Sequence, residues 1–218
     1  GAVIKTIGTA RPVNYEARPL MAIYKTGKNV LGLGNLSVLH HAELVDWKKS
    51  IPLIKANFPD RMVIGSIAAN IIETDWKRLA SESSEAGFDA IELDISCSHS
   101  RLSQHTGPIF IAGEDPDIVG EVVRWVVQVT DLPIVPKLPY SVRDWERMIR
   151  VCREAGAAGI AAINSVSGII GIDIDTFEPQ PSIRGQSTYS GYTGPGIKPL
   201  ALKAISKLAL GGALPLSA

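Results

Sequence analysis

At 218 residues, with 22 basic side chains against 22 acidic ones, the chain carries no net charge and lacks the basic footprint that nucleic-acid binding requires. Its residues are 45% apolar and 20% charged, the balance of a soluble globular protein with one sizeable core, and no apolar run approaches a membrane span. Two cysteines, Cys97 and Cys152, are too few for a disulfide framework and suit a reducing cytoplasm, the compartment expected here since nothing ahead of the first strand reads as a signal peptide.

Strand and helix patterns alternate along the chain. A strand over Val3 to Ile7 comes first, and a helix over Val45 to Asn57 follows, in which Pro52 predicts a kink or break. Then come a strand at Met62 to Ile67, a helix at Asp75 to Ala86, a strand at Ala90 to Ile95 and a helix at Pro116 to Val129. A strand at Ile134 to Leu138, a helix at Val142 to Ala155, a strand at Gly159 to Ile163, a helix at Pro199 to Leu210 and a strand at Leu214 to Ser217 complete the series. The helices carry apolar residues at three- and four-residue spacing. Thr74 and Ser141 are candidate N-caps, and Gly87, Gly156 and Gly211 stand just past C-termini. Such alternation predicts parallel strands joined by crossover helices in a single domain, residues 1–218. Either a doubly wound sheet or a (β/α)₈ barrel lacking about two strands fits it; the absence of a GxGxxG fingerprint after the first strand weakens a dinucleotide-binding sheet. Gly1 opens almost at once on a strand and the chain stops in another, so the sequence reads as a piece of something longer.

In both architectures chemistry gathers at the carboxyl ends of the strands. In ELDISCSHS, Glu92 to Ser100, side-chain alternation puts Leu93 and Ile95 towards the helices and Asp94 and Ser96 inward, with Cys97 at the rim. The same parity turns Lys5, Lys137 and Asn164 inward. A lysine at a strand end can simply reach water or pair with Asp94. Two on converging strands favour a bound anionic or carbonyl-rich ligand, because a buried ammonium needs an accepting partner. Gly191 to Pro199, GYTGPGIKP, is a glycine-rich turn leading into a helix; its backbone N–H groups suit an anion, and equally it is the turn the fold needs. Cys97 is either an inert, part-buried thiol or, given its polar neighbours, a general acid mostly protonated near neutral pH. Cys152, within a helix, reads as packing. His40 and His41 are adjacent and do not face each other as a chelate would. Cys97, His99 and His105 match no strong zinc spacing, and no GxSxG nucleophile elbow is present.

Taken in order, KTIG at Lys5, HAEL at Glu43, ELDISCSH at Glu92, GEDPDIV at Gly113, VPKL at Lys137, AINSVSG at Asn164 and TYSGYTGPGIKPLALKAI at Thr188 resemble the dihydroorotate and dihydropyrimidine dehydrogenase superfamily. The similarity is greatest to the flavin- and pyrimidine-binding barrel of the latter. The resemblance implies a (β/α)₈ barrel, about six of its strands in this chain. It also implies FMN and hydride transfer to or from a C–C bond of a small cyclic, pyrimidine-like substrate, in an assembly, homo- or hetero-oligomeric, that includes an electron-transfer domain or subunit. Iron–sulfur clusters and FAD would sit on other segments, since two cysteines cannot hold a four-cysteine cluster.

By the same resemblance, Lys5, Thr6, Lys137 and Gly194 contact FMN, the lysines stabilising its anionic reduced ring. His41, Glu43, Asp94, Ser96, Asn164 and Ser165 fall at substrate positions, and Cys97 is the general acid/base. Asp94 and His41 stand where the family pattern has Asn, and Ser98 where it has Pro. An ionised carboxylate only accepts hydrogen bonds whereas an amide also donates, so the substrate need not be uracil, thymine or orotate. The barrel's first strand and its last strands, with the loops that hold the FMN phosphate, are expected outside this sequence. A non-catalytic barrel subunit acting through partners is the alternative, and a flavin-free aldolase or isomerase using Lys137 as a Schiff-base amine is a third reading.

Overall fold

A computed structural model describes residues 1–9, 20–36, 44–96, 112–183, 189–212 and 214–217. Its main layer is a parallel sheet built from β1 (Ala2–Val3), β2 (Ile7–Gly8), β5 (Val63–Ala68), β6 (Ala90–Asp94), β7 (Ile134–Leu138), β8 (Ile160–Ala162) and β13 (Leu216–Ser217). Both β1 and β2 pair with β5, so they are two short pieces of one strand, and the sheet has the six strand positions that the sequence predicts. The strands lie side by side in chain order, β1-β5-β6-β7-β8-β13. A doubly wound sheet requires that order to reverse at a switch point; here it never does, which resolves the architecture in favour of the barrel.

Between the strands run α1 (Leu44–Asn57), α2 (Glu73–Ala86), α3 (Pro116–Val127), α4 (Trp145–Glu154) and α5 (Lys198–Leu210). In α3, Val119, Val122, Val123 and Val126 recur at the spacing of one helix face, and all four are fully buried. They join Trp76 and Leu79 of α2, Met148 and Cys152 of α4 and Leu208 of α5 in one core against the outward side chains of the sheet, Ile91, Leu93, Ile134, Leu138 and Ile160 among them. Burying each large aliphatic side chain contributes about 1.5–3 kcal/mol, so this layer is the principal source of the fold's stability.

Several local expectations change. Helix α1 runs through Pro52 without a break. Thr74 lies inside the first turn of α2, whose N-cap is Ile72, and Ser141 donates to Glu114 Oε1 at 2.5 Å instead of capping α4. Asp144 caps α4 and Asp115 caps α3, each through a side-chain oxygen that accepts a backbone N–H. Gly87 does end α2 as expected, in the left-handed conformation at φ 88°.

A second sheet was not anticipated. Strands β3 (Met21–Thr26), β4 (Asn29–Asn35), β12 (Ser190–Thr193) and β9 (Val166–Gly168) form a four-stranded antiparallel sheet in the order β3-β4-β12-β9. Its hairpin is closed by the two residues Gly27 and Lys28, with Gly27 at φ 58°, the position a II′ turn reserves for glycine. On one face Gly32 and Gly34 admit the Tyr192 ring and Ile170, into which any Cβ would run. A small pair of strands, β10 (Gly171–Ile172) and β11 (Pro179–Gln180), lies apart from both sheets.

At the amino ends of the strands, Asp89 receives Lys55 Nζ at 2.6 Å and Val63 N–H at 2.8 Å, joining α1 and β5 to the start of β6. Burial alone would raise its carboxyl pKa, but the Lys55 and Val63 hydrogen bonds and the Lys55 charge outweigh burial and hold it below its ordinary value. A lowered folded-state pKa stabilises the fold at any pH above the ordinary carboxylate value of about 3.9, and that contribution is lost as pH falls through the folded value. Asp89→Asn is therefore expected to cost about 0.5–1 kcal/mol at neutral pH, with the difference from the unmodified protein closing in acid. Urea denaturation at a series of pH values measures it; a cost that does not shrink below about pH 4 contradicts the assignment.

Candidate active site

A connected set of polar side chains occupies the inner face of the parallel sheet and the carboxyl ends of its strands. Parity along β6 puts Leu93 and Ile95 into the core and Glu92, Asp94 and Ser96 on the opposite side, as the sequence predicts. Glu92 Oε1 accepts from Lys137 Nζ at 3.5 Å and from Ser66 Oγ at 3.0 Å. Ser66 Oγ lies 2.9 Å from Thr6 Oγ1, which donates to Asp94 Oδ2 at 3.1 Å. Asp94 Oδ1 accepts from Ser96 Oγ and from Asn164 Nδ2, both at 3.4 Å. The other hydrogen of that amide goes to Ser96 O at 3.0 Å, while Asn164 Oδ1 accepts Ser165 N–H at 2.9 Å. Residues from the first strand, β5, β6, β7 and the end of β8 thus meet in one network.

Each member is delivered by a strand. Thr6 immediately precedes β2, Ser66 lies in β5, Lys137 is the fourth residue of β7, and Asn164 is tied through its own N–H to Leu138 O, at the end of β7. Glu92, Asp94, Ser66 and Ser96 are all more than nine-tenths buried. Buried carboxylates persist only where hydrogen bonds or an opposite charge compensate the loss of water, and both carboxylates are so compensated.

The structure brings Thr6, Asp94, Ser96, Lys137, Asn164 and Ser165 together. It sharpens two sequence expectations. Lys5 is exposed and not enclosed in an apolar interior; Thr6, its neighbour, is the residue that reaches Asp94. The break between β1 and β2 removes the strict alternation on which the inward placement of Lys5 depended. Gly194 terminates β12 in the antiparallel sheet, at φ 104°, and a Cβ there would come within 2.9 Å of Gly32 Cα. Only glycine suits both its dihedral angle and that approach. Because β9 follows Ser165 directly and pairs with β12, Tyr192 opposite Val166, the unanticipated sheet brings the Gly194 and Asn164 segments together. Cys97, His41, Glu43, His99 and His105 lie outside the described residues.

Sequence reasoning did not single out Glu92 or Ser66. Glu92 shares the inward parity already assigned to Asp94, and its register places it two residues from the one opposite Lys137, within reach of a long side chain. That spacing was the available signal. Ser66, an isolated hydroxyl in an apolar strand, gave none.

Cys152 is the free cysteine among the described residues; it is fully buried, and burial pushes its thiol pKa up to about 12. Alkylation of the native protein by iodoacetamide is expected to leave Cys152 unmodified until the protein is denatured, as peptide mass mapping would show. Modification of Cys152 under native conditions would contradict its place in the core.

What this region can hold follows from its donors. A lysine ammonium fixed by a carboxylate, hydroxyls and an amide, all at strand ends, suit a flat heterocycle bearing carbonyls or a negative charge. No group of three or more His, Cys, Asp and Glu side chains among the described residues is placed to hold a metal ion. The fold and site together define the class: a partial (β/α) barrel with a polar, lysine-bearing site at the carboxyl ends of its strands. The family model described as dihydroorotate dehydrogenase matches residues 2–213, and the chain belongs to that family.

Among its relatives, the chain is 30% identical over 216 residues to the chloroplastic dihydropyrimidine dehydrogenase (NADP(+)) of Arabidopsis thaliana, covering 96% of this chain and 50% of that protein. It is 31% identical to the NAD-dependent dihydropyrimidine dehydrogenase subunit PreA of Escherichia coli, covering 95% and 49%. Identity to the catalytic subunit of dihydroorotate dehydrogenase B (NAD(+)) of Pyrococcus abyssi is 34%, covering 96% and 63%. A crystal structure of ligand-free dihydroorotate dehydrogenase from Eimeria tenella superposes with a TM-score of 0.69 at 13% identity, covering 98% of this chain and 64% of that one, and so supports the barrel fold. The chain spans about half to two-thirds of the length of these relatives. No helix among the described residues is long and apolar enough to cross a membrane.

Proposed function

We propose that the full-length protein is an FMN-dependent oxidoreductase that transfers a hydride to or from a C–C bond of a small, pyrimidine-like ring, with Cys97 as general acid/base. The observation that carries this reading is the Lys137–Glu92 pair at the carboxyl end of the barrel, linked through Ser66 and Thr6 to Asp94 and Asn164. FMN, when bound, supplies the two-electron chemistry that no side chain of this set provides.

The chain's own residues bind, orient and move protons. Lys137 puts a positive charge where negative charge develops on a reduced ring, and Glu92 limits the positions its flexible stem can adopt. Thr6 and Gly194 complete the cofactor side, Gly194 by leaving the backbone bare where a side chain would intrude. Lys5, exposed, reaches the same side from the rim. Asn164 and Ser165, fixed to Ser96 and to each other, orient the substrate ring together with Asp94, Ser96, His41 and Glu43. Cys97, one residue beyond Ser96, exchanges a proton between Sγ and the ring carbon next to the one that gains or loses hydride. Subunits and NAD(P) dependence appear in the names of the relatives, which supports an electron-transfer partner for this barrel as well.

The test is a half-reaction. Full-length protein, chemically reduced without oxygen, is expected to regain its oxidised flavin spectrum on mixing with an unsaturated pyrimidine. Reduced flavin that no pyrimidine reoxidises would overturn the proposed reaction.

A further inference from the structure

The donors around Asp94 are all committed. Thr6, Ser66 and Ser96 each have one hydroxyl hydrogen and Asn164 has two amide hydrogens. Ser66 donates to Glu92, Thr6 and Ser96 donate to the two oxygens of Asp94, and Asn164 donates to Asp94 and to Ser96 O. The 2.9 Å contact between Thr6 and Ser66 draws on those same hydroxyl hydrogens. Three of the hydrogens converge on one carboxylate that is 7% exposed. What this wall has left to offer a ligand is lone pairs: one on Asp94 Oδ2, since Oδ1 already accepts two hydrogens, and one on Asn164 Oδ1, whose other accepts Ser165 N–H. Lys137 has its charge opposed by Glu92.

We propose that Asp94 is the specificity-determining residue of this site, restricting it to uncharged rings that turn N–H donors towards β6 and rejecting rings that carry a carboxylate there. An N–H edge meets acceptors and completes their hydrogen bonds. A ring carboxylate meets a second carboxylate with little water between them and finds the hydrogens of Thr6, Ser66, Ser96 and Asn164 already taken. An amide at this position would remove the charge, keep one accepting oxygen and supply two hydrogens of its own in place of the other. The inference rests on the proposed pyrimidine chemistry and names the class of ring within it.

Isothermal titration calorimetry of the flavin-loaded, full-length protein with uracil and with orotate, its ring carboxylate, reads the discrimination directly. Uracil is expected to bind at least about 30-fold more tightly, and Asp94→Asn to narrow that ratio by about tenfold or more through tighter orotate binding. Equal affinities in the unmodified protein, which need no variant to measure, would overturn the proposal. So would a ratio that Asp94→Asn leaves unmoved, since loss of structure weakens both ligands alike. Flavin-loaded protein that binds neither ring overturns the pyrimidine reading itself, a result distinct from binding both equally.

Discussion

Cys97→Ala is expected to slow substrate turnover by about 10²–10⁴-fold while leaving flavin content unchanged. The physical basis is the division of labour at the end of β6. Ser96, immediately before Cys97, is held through its carbonyl by Asn164 and through its hydroxyl by Asp94. The segment that carries the thiol therefore leaves from a fixed point beside the proposed substrate groups. Without the thiol, water must supply or accept the proton, and the barrier rises by the acid/base contribution alone. Stopped-flow measurement of the half-reaction isolates this step, and Cys97→Ser should fall between alanine and cysteine. A rate unchanged in Cys97→Ala would assign the proton to another group.

Lys137→Met is expected to have the next largest effect, and it separates binding from stability. Removing the ammonium leaves Glu92 with Ser66 as its donor in a site from which water is nearly excluded, at a cost of about 1–3 kcal/mol, or several degrees in Tm. It also removes the charge proposed to oppose the reduced ring, so FMN affinity should fall by about tenfold or more. The double variant Lys137→Met with Glu92→Gln should recover most of the stability, because the carboxylate left without its cation is gone, and none of the FMN affinity. Recovery of both would make Lys137 a structural partner of Glu92 and nothing more. Thermal unfolding and FMN titration of the apoprotein give the two readings independently.

The parallel layer was legible because its signals are local. Alternation over Ala90 to Ile95 and the valine stripe of Pro116 to Val127 each fix an element and the face it buries without reference to the rest of the chain. Barrel and doubly wound sheet share those signals, and only strand order, a long-range property, separates them. The antiparallel sheet escaped notice for the same reason: Ser190–Thr193 is four residues long, rich in small and polar side chains, and becomes a strand by pairing with Asn29–Asn35, more than 150 residues away. Gly27 was a legible turn signal for the hairpin that precedes it. In the site, Asp94, Ser96 and Lys137 were found by parity, whereas Asn164 shares the parity of Ile160 and Ala162, which pack in the core, and reaches the site because β8 ends at Ala162 and alternation stops there. Lys5 was misplaced because parity fails where β1 and β2 are interrupted, and Ser66 acquires its importance only from neighbours contributed by other strands.

Whether this barrel works with flavin is visible in the absorption spectrum of the purified full-length protein. The bands of oxidised flavin are expected, with release of FMN in a one-to-one ratio with protein on denaturation. A colourless protein whose folded form neither contains FMN nor takes it up would contradict the proposed function.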